Sequence, residues 1–393
     1  MNGLAAFLTI LAALSAAEAA AQGLQYTITD LGTLPGWQSS YATGINNSGQ
    51  VVGYCEAVGF VGGAYAAFVY SGGQMQPVGA ASPASGYYTR AWAINGGGQI
   101  VGDAGWTGPW GPGGVAFLSA DGCLQSLDTL PGSLSMATAI NSSGQIAGLV
   151  CPNPIFAHSP PRAFLYSSGA ALDLGTLPGG SWAAAYGIND AGQVVGTAGD
   201  AAGDSRAFLC SGGTMLDLGA LSGGSNSAAN AINASGQIVG MADNSSGWGH
   251  AFLYSNGTMQ DLGVLPGTEK STALAINQSG QVVGEADSGP YSVSHAFVYT
   301  GGTVLDLNGL IDPSSGWVLQ CADGINDRGQ IVGYGVNPGG QTDAFLLTPS
   351  PEPSTLCLSM ICGSLLLACH HCRRRHAAPR LMGWRARLSW GNA

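Results

Sequence analysis

The sequence predicts an all-β fold: a seven-bladed β-propeller of four-stranded antiparallel blades. Three observations predict it. One β-rich unit recurs seven times. The unit has the length of four short strands. The first and last segments of the array complete each other.

The clearest mark of the repeat is Ile-Asn-x-x-Gly-Gln followed by an apolar pair and Gly. Its Asn stands at Asn46, Asn95, Asn141, Asn189, Asn233, Asn277 and Asn326, at intervals of 49, 46, 48, 44, 44 and 49 residues. An Ala-Phe pair follows in each copy, with Phe68, Phe117, Phe164, Phe208, Phe252, Phe297 and Phe345. Asp-Leu-Gly or a relic of it comes next, near Asp30, Val78, Leu127, Asp173, Asp217, Asp261 and Asp306. Leu-Pro-Gly survives in four copies, starting at Leu34, Leu130, Leu177 and Leu265.

The best-formed copy shows why these marks imply strands. Ala273-Leu274-Ala275-Ile276 is a strand, and Asn277-Gln278-Ser279-Gly280 a turn. Asn bonds its own backbone there, and Gly takes positive φ without strain. The chain returns through Gln281-Val282-Val283-Gly284, then His295 to Tyr299, then Thr303 to Leu307. No helical period runs through the body. The strands read as apolar on both faces, which suits sheets packed between neighbouring sheets.

The ends argue for closure. Tyr26-Thr27-Ile28-Thr29-Asp30-Leu31 reads as a fourth strand without its first three. The last copy, Cys321 to Leu347, has three strands and lacks a fourth. The N-terminal strand therefore completes the last blade and removes the open edge. An open β-solenoid, the alternative, needs polar capping repeats, and none is visible.

Composition limits function. Charged residues are 8% of 393, against roughly 25% in typical soluble domains. Apolar residues are 46%, so a core is available. Between residues 22 and 350 stand five basic and twenty acidic residues, a net of −15. Such a body repels nucleic acid, which excludes that partner. Five cysteines in the body share no repeat position, so they read as buried free thiols, with one chance disulfide as the alternative.

Both ends read as addresses. Leu4 to Leu14 has the length of a signal-peptide core, and Ala19-Ala20-Ala21 before Gln22 offers a cleavage site between Ala21 and Gln22. The expected organisation is a signal peptide over 1–21, a propeller over 24–349, a sorting segment over 351–376 and a disordered tail over 377–393. The sorting segment consists of Pro351-Glu352-Pro353, an apolar run from Leu356 to Cys369, and Arg373-Arg374-Arg375. This order resembles the PEP-CTERM sorting signal. The resemblance implies a C-terminal hydrophobic helix that spans the membrane until an exosortase-type enzyme acts near Pro-Glu-Pro. The arginines hold the cytoplasmic side. The repeats, in turn, resemble the HAF family of bacterial extracellular repeats, on His250-Ala251-Phe252 and His295-Ala296-Phe297, with Arg162 and Arg206 replacing the His in two copies.

The search for chemistry finds no catalytic motif. His250 and His295 share one repeat position and read as packing or edge residues; a metal pair is the alternative. The Asp-Leu-Gly aspartates read as acceptors for backbone N–H groups of the following turn. Asp200, Asp204, Asp243, Asp287 and Glu285 read as loop acids that suit Ca²⁺ only weakly, since no EF-hand spacing occurs. No cofactor or metal is expected. Loop aromatics, notably Trp106, Trp110, Trp182 and Trp248, offer faces for sugar rings, or pack the loops onto the body. The functional expectation is an exported cell-surface or extracellular-matrix protein, a binding or structural propeller, for which the sorting-signal resemblance implies an exopolysaccharide or biofilm setting and extracellular polysaccharide as a partner. The alternatives are a carbohydrate-active propeller enzyme with carboxylates at the central opening, and a scaffold without a small ligand.

Intact-mass spectrometry of the exported protein should find Gln22 as the first residue. A mass that retains residues 1–21 contradicts the reading of the N-terminus.

Overall fold

The computed structural model describes residues 24–57, 64–79, 87–108, 111–120, 122–127, 134–151, 160–289 and 292–350. The signal segment, the sorting segment and its expected hydrophobic helix lie outside these residues. Among the described residues no helix is long and apolar enough to cross a membrane.

Seven four-stranded antiparallel sheets follow one another along the chain. Blade 1 is typical: Ser39–Ile45, Val51–Ala57, Ala64–Ser71 and Gln74–Pro77 pair in sequence order. Blades 2 to 6 occupy 87–126, 134–173, 183–217, 227–263 and 270–306. Blade 7 takes Val318–Ile325, Ile331–Val336 and Thr342–Pro349 from the C-terminal end of the body, and Tyr26–Gly32 from the N-terminal end. The register pairs Ile28 with Leu347 and Asp30 with Phe345. The ring is closed by the first strand, as the complementary ends predict.

Packing occurs between blades. The buried apolar residues divide into seven clusters, one for each neighbouring pair. The repeated Phe is the centre of each cluster and is almost wholly buried in every blade. Above it lies the Gly that ends the Ile-Asn-x-x-Gly-Gln motif. A Cβ on Gly196 would overlap the carbonyl oxygen of Ala184 on the innermost strand, and Gly53, Gly102, Gly148, Gly240, Gly284 and Gly333 stand in the same position. Each innermost strand carries a β-bulge beside this contact, for example between Ala185 and Gly187. The bulge brings the innermost backbone too close for any side chain.

One expectation needs correcting. The strands are not apolar on both faces throughout. The outermost strand of a blade is largely exposed, with Leu172 and Leu216 more than half open to solvent. Blades diverge away from the axis, so the fourth strand has little sheet to pack against.

The repeated Asn does more than shape its turn. Asn189 Oδ1 accepts from the backbone N–H groups of Ala191 and Gln193. Its Nδ2 donates to Gln193 Oε1 at 2.8 Å and to the Asn233 carbonyl of the next blade at 3.1 Å. All seven copies make the inter-blade bond at 3.0–3.2 Å, and Asn326 donates to the Asn46 carbonyl to complete the circle. A second set of inter-blade bonds runs through hydroxyls. Thr89, Ser135, Ser227 and Ser271 accept from the Ala N–H of the preceding blade's Ala-Phe pair. Ser40 does the same for Ala344, across the joint between blades 7 and 1.

Asn189→Ala removes these bonds and leaves buried N–H groups without acceptors, so a loss of about 2–4 kcal/mol is expected. Asn189→Asp keeps the acceptors but sets a carboxylate against the Asn233 carbonyl; at pH 7 it should cost at least as much. Chemical denaturation of the two variants checks both expectations.

Candidate functional site

The innermost strands enclose an axial channel. The isoleucine before each ring asparagine, from Ile45 to Ile325, borders the space on one side, and five of the seven border the space on the other side too, so this layer divides the channel. On the side of the Asn turns lies a polar pit of about 380 Å³. Its rim is knitted by the residue after each Asn: Asn47 Nδ2 donates to Asp327 Oδ2 at 2.7 Å, and Gln278 N–H donates to Asp327 Oδ1 at 2.9 Å. These groups are occupied in holding neighbouring blades together.

The second space, about 220 Å³, lies on the side of the long connections. Here the repeat loses its symmetry. Five positions before the ring Asn stand Tyr41 and Arg90 in blades 1 and 2, but Met136, Ala184, Ala228 and Thr272 in blades 3 to 6. Immediately after the crowded Gly stand Tyr54, Asp103, Glu285 and Tyr334 in blades 1, 2, 6 and 7, but Leu149, Thr197 and Met241 elsewhere. The chemistry is gathered on one arc of the ring, from blade 6 through 7 and 1 to 2.

Aromatic rings gather on this arc, with Trp92 on the channel wall itself. Tyr41 stacks on Tyr54 with centroids 5.2 Å apart and meets Tyr334 edge-on at 5.0 Å. Tyr54 also meets Tyr65 and Trp92 edge-on, at 5.6 and 5.8 Å. These rings are half-buried, so part of each remains open. At the blade 2 end the Arg90 guanidinium lies 5.2–5.5 Å from the centroids of Trp92, Tyr88 and Tyr65. Asp103, buried, binds Arg90 at 2.9 Å, accepts from Tyr88 OH at 2.9 Å and from Trp92 Nε1 at 2.7 Å. This acid is paired and satisfied, as a buried charge must be.

At the opposite end the acids are held differently. Asp323 on the innermost strand of blade 7 lines the channel, and its Oδ2 is buried without a hydrogen-bond partner. Burial is the main reason its carboxyl is pushed up to about 7; the Glu285 charge adds to the rise and the Cys321 thiol opposes it. Glu285 itself is raised, mainly by burial, with Asp287 adding and a Ser294 hydrogen bond opposing. Burial also pushes the Cys321 thiol well up, so it is no ready nucleophile. A carboxyl near neutrality beside a second carboxyl can hold or release a proton at physiological pH.

The residues singled out in the sequence fare unequally. Trp182 is half-buried and packs over Gly199, so it fastens its loop. Trp248 is 40% exposed and carries Lys270 Nζ 5.2 Å from its ring centroid. Trp106 pairs through its backbone with Tyr87, and Trp110 lies outside the described residues. Trp37 and Tyr88 are buried. Pro351, Glu352, Pro353, Arg373, Arg374, Arg375, Ala21 and Gln22 lie outside the described residues.

His250 Nδ1 lies 2.9 Å from Asp261 Oδ2, and His295 Nδ1 lies 2.8 Å from Asp306 Oδ2, each within its own blade. Arg162 pairs with Asp173 and Arg206 with Asp200 in the corresponding setting. The basic residue before Ala-Phe thus clamps an acid of its own blade. The Asp-Leu-Gly aspartates accept from the following turn as expected, for example Asp217 from Gly219 N–H at 2.8 Å. Asp200 caps its own loop, and Asp243 accepts from Asn226. Glu285 is a correction: it belongs to the strand Val282–Asp287, not to a loop. Asp243 and Asp287 likewise end strands. Among the described residues no group of three or more His, Cys, Asp or Glu is placed to hold a metal ion. The five body cysteines are free; Cys55, Cys210 and Cys321 are buried, whereas Cys123 is exposed.

No protein-family model and no curated protein matches the chain. Solved structures resemble it at low identity. A puromycin-hydrolyzing peptidase from Mycobacterium tuberculosis is 13% identical with a TM-score of 0.48, covering 80% of this chain and 53% of that one. The β-propeller domain of the Trilobed protease from Pyrococcus furiosus is 8% identical with a TM-score of 0.39, covering 70% and 97%. A gluconolactonase from Xanthomonas campestris is 10% identical with a TM-score of 0.38, covering 83% and 90%. Such likeness bears on fold alone.

The raised Asp323 value has a sign that can be tested. A folded value above the unfolded one means the folded state holds the proton more firmly. Its contribution is complete below the ordinary carboxylate range and is lost as pH rises through about 7. Asp323→Asn should therefore raise the melting temperature at pH 8 by on the order of a few degrees and leave it little changed at pH 4. Melting curves across that range check it.

Proposed function

We propose that this chain is an exported protein of the cell surface or extracellular matrix, and that its propeller binds carbohydrate at the channel mouth on the side of the long connections. The reading rests on one observation above others: half-buried Tyr41, Tyr54, Tyr65, Trp92 and Tyr334 gather on one arc, whereas blades 3 to 5 carry Met136, Ala184 and Ala228 at the place of Tyr41 and Leu149, Thr197 and Met241 at the place of Tyr54, with Tyr186 of blade 4 a single ring on the far wall. Packing alone asks nothing of the kind, since blades 3 to 5 pack without it. Aromatic faces bury the apolar faces of sugar rings. Tyrosine hydroxyls and channel-wall backbone supply polar partners for sugar hydroxyls. The low charge and the sorting segment at Pro351-Glu352-Pro353 suit a protein delivered to the cell exterior and handled there by an exosortase-type enzyme.

A second reading has a specific observation behind it. Asp323 and Glu285 are two neighbouring carboxyls with raised values, the arrangement that general acid and base catalysis of glycosidic cleavage uses. It makes the protein a carbohydrate-active enzyme instead of a binding module.

The two readings separate in one experiment. The chain is presented to a polysaccharide panel, with retention and product release followed together. The binding reading expects retention without product, weakened about tenfold by Tyr41→Ala, as the loss of one aromatic contact of about 1 kcal/mol or slightly more implies. Product release that vanishes in Asp323→Asn favours the enzyme. Retention unchanged by Tyr41→Ala removes the aromatic wall from the account.

A further inference from the structure

Two acids on this arc, Asp103 buried within blade 2 and Asp323 on the channel wall, differ in how their charge is met. In blade 2, Asp103 has its own guanidinium, and Arg90 is in turn enclosed by Trp92, Tyr88 and Tyr65. The chain thus already contains one cation held between a carboxylate and aromatic faces. In blades 6 and 7 half of that arrangement is repeated. Asp323 and Glu285 stand beside Tyr334, which meets Tyr41, which stacks on Tyr54. The described residues supply no cation to match. Lys270 lies over Trp248, Arg328 is in the turn after Asn326 on the opposite side of the isoleucines, and Arg90 is committed to Asp103.

We infer that Asp323 and Glu285, with the rings of Tyr41, Tyr54 and Tyr334, form a subsite for an ammonium group, so that the carbohydrate bound at this mouth carries free primary amines. This inference rests on the carbohydrate reading and narrows it. An ammonium satisfies both parts of the wall. Carboxylates accept its hydrogen bonds, and ring faces attract it through their quadrupole. A metal ion would use the carboxylates and gain little from three tyrosine rings. Uncharged or acidic sugars would leave the acids uncompensated. The surrounding body points the same way, since its net of −15 draws polycations towards the mouth and repels polyanions.

Protonation follows from the same geometry. The groups facing Asp323 are Glu285, Cys321, Tyr334 and Tyr54, with Asp287 acting on Glu285 and Arg90 acting on Tyr54 from blade 2. A cation placed among them stabilises the ionised carboxyls. Binding near neutral pH therefore expels protons from the wall.

The test compares two probes on the full-length chain by titration calorimetry at pH 7: a hexamer of β-1,4-linked glucosamine and the hexamer of N-acetylglucosamine. They share a backbone and differ in free amines. The wild type should bind the amine form about tenfold more tightly. Asp323→Asn and Glu285→Gln, both nearly isosteric, should each erase most of the preference while circular dichroism and melting show an intact ring. Equal binding of the two hexamers by the wild type overturns the ammonium subsite and leaves the carbohydrate reading standing. A preference that persists in both variants also overturns it. Failure to bind either hexamer overturns the subsite, and the carbohydrate reading is then judged on the polysaccharide panel.

Discussion

The whole structure depends on a circle of seven hydrogen bonds from asparagine side chains. Each ring Asn is buried at the tightest part of the molecule, where the blades converge. Its oxygen accepts from its own turn, and its nitrogen reaches the next copy's backbone. Glutamine is a methylene longer, and Asp lacks the donor, so neither replaces it. The bonds form a cycle, and their count is therefore set by geometry. The isoleucine next to each Asn then fills the axis. Closure, channel width and the division of the channel follow from one dipeptide.

That circle frees the other side of the molecule. The side of the Asn turns is nearly uniform because every blade there meets the same demand. On the opposite side the connections vary in length, and the wall positions vary with them. Met136, Ala184 and Ala228 occupy places that Tyr41 and Arg90 hold in blades 1 and 2. A repeat fold acquires a site by departing from its own consensus, and the departures at the places of Tyr41 and Tyr54 cluster around the ring across the closure.

Much of this was legible in the sequence, for physical reasons. The Asn-x-x-Gly turn has one conformation, Asp-Leu-Gly ends in an Asx turn, and an unpaired strand at each end of an array must find a partner. The site was harder to see. Alternation along Ser39–Ile45 tells which residues share a face, but not that the strand is innermost and that one face meets a channel instead of a neighbour. Tyr41, Tyr54 and Trp92 therefore carry no mark of a site in the sequence, whereas the tryptophans of the long connections stand out among Gly and Ser. Trp182 turned out to fasten its loop. The hydroxyl staples at Ser40 and Ser271 left no mark because Ser within a strand has many uses. Position-by-position comparison of the copies would have exposed the site. Tyr54, Asp103, Glu285 and Tyr334 depart from Leu149, Thr197 and Met241 at one repeat position.

The closing blade places an acid on each side of the joint between the chain's ends. Its third strand carries Asp343 where blades 3 to 6 have Arg or His, and burial first, then Asp30 on the closing strand, raises that carboxyl. The clamp that binds the outer strand in blades 3 to 6 is thus replaced by two acids at the joint between the chain's ends. Asn337 meets one Asp343 oxygen at 2.7 Å, and the other is buried without a partner. Asp323 and Glu285 stand in the same sector, on the channel side. The joint between the chain's ends therefore lies in the same sector as the gathered chemistry. A ligand seated between Glu285 of blade 6 and Tyr41 of blade 1 spans that joint. Anything that binds only the closed ring stabilises it by mass action, so recognition and closure become one equilibrium: occupancy holds the ends together, and an intact clasp holds the two halves of the site in place.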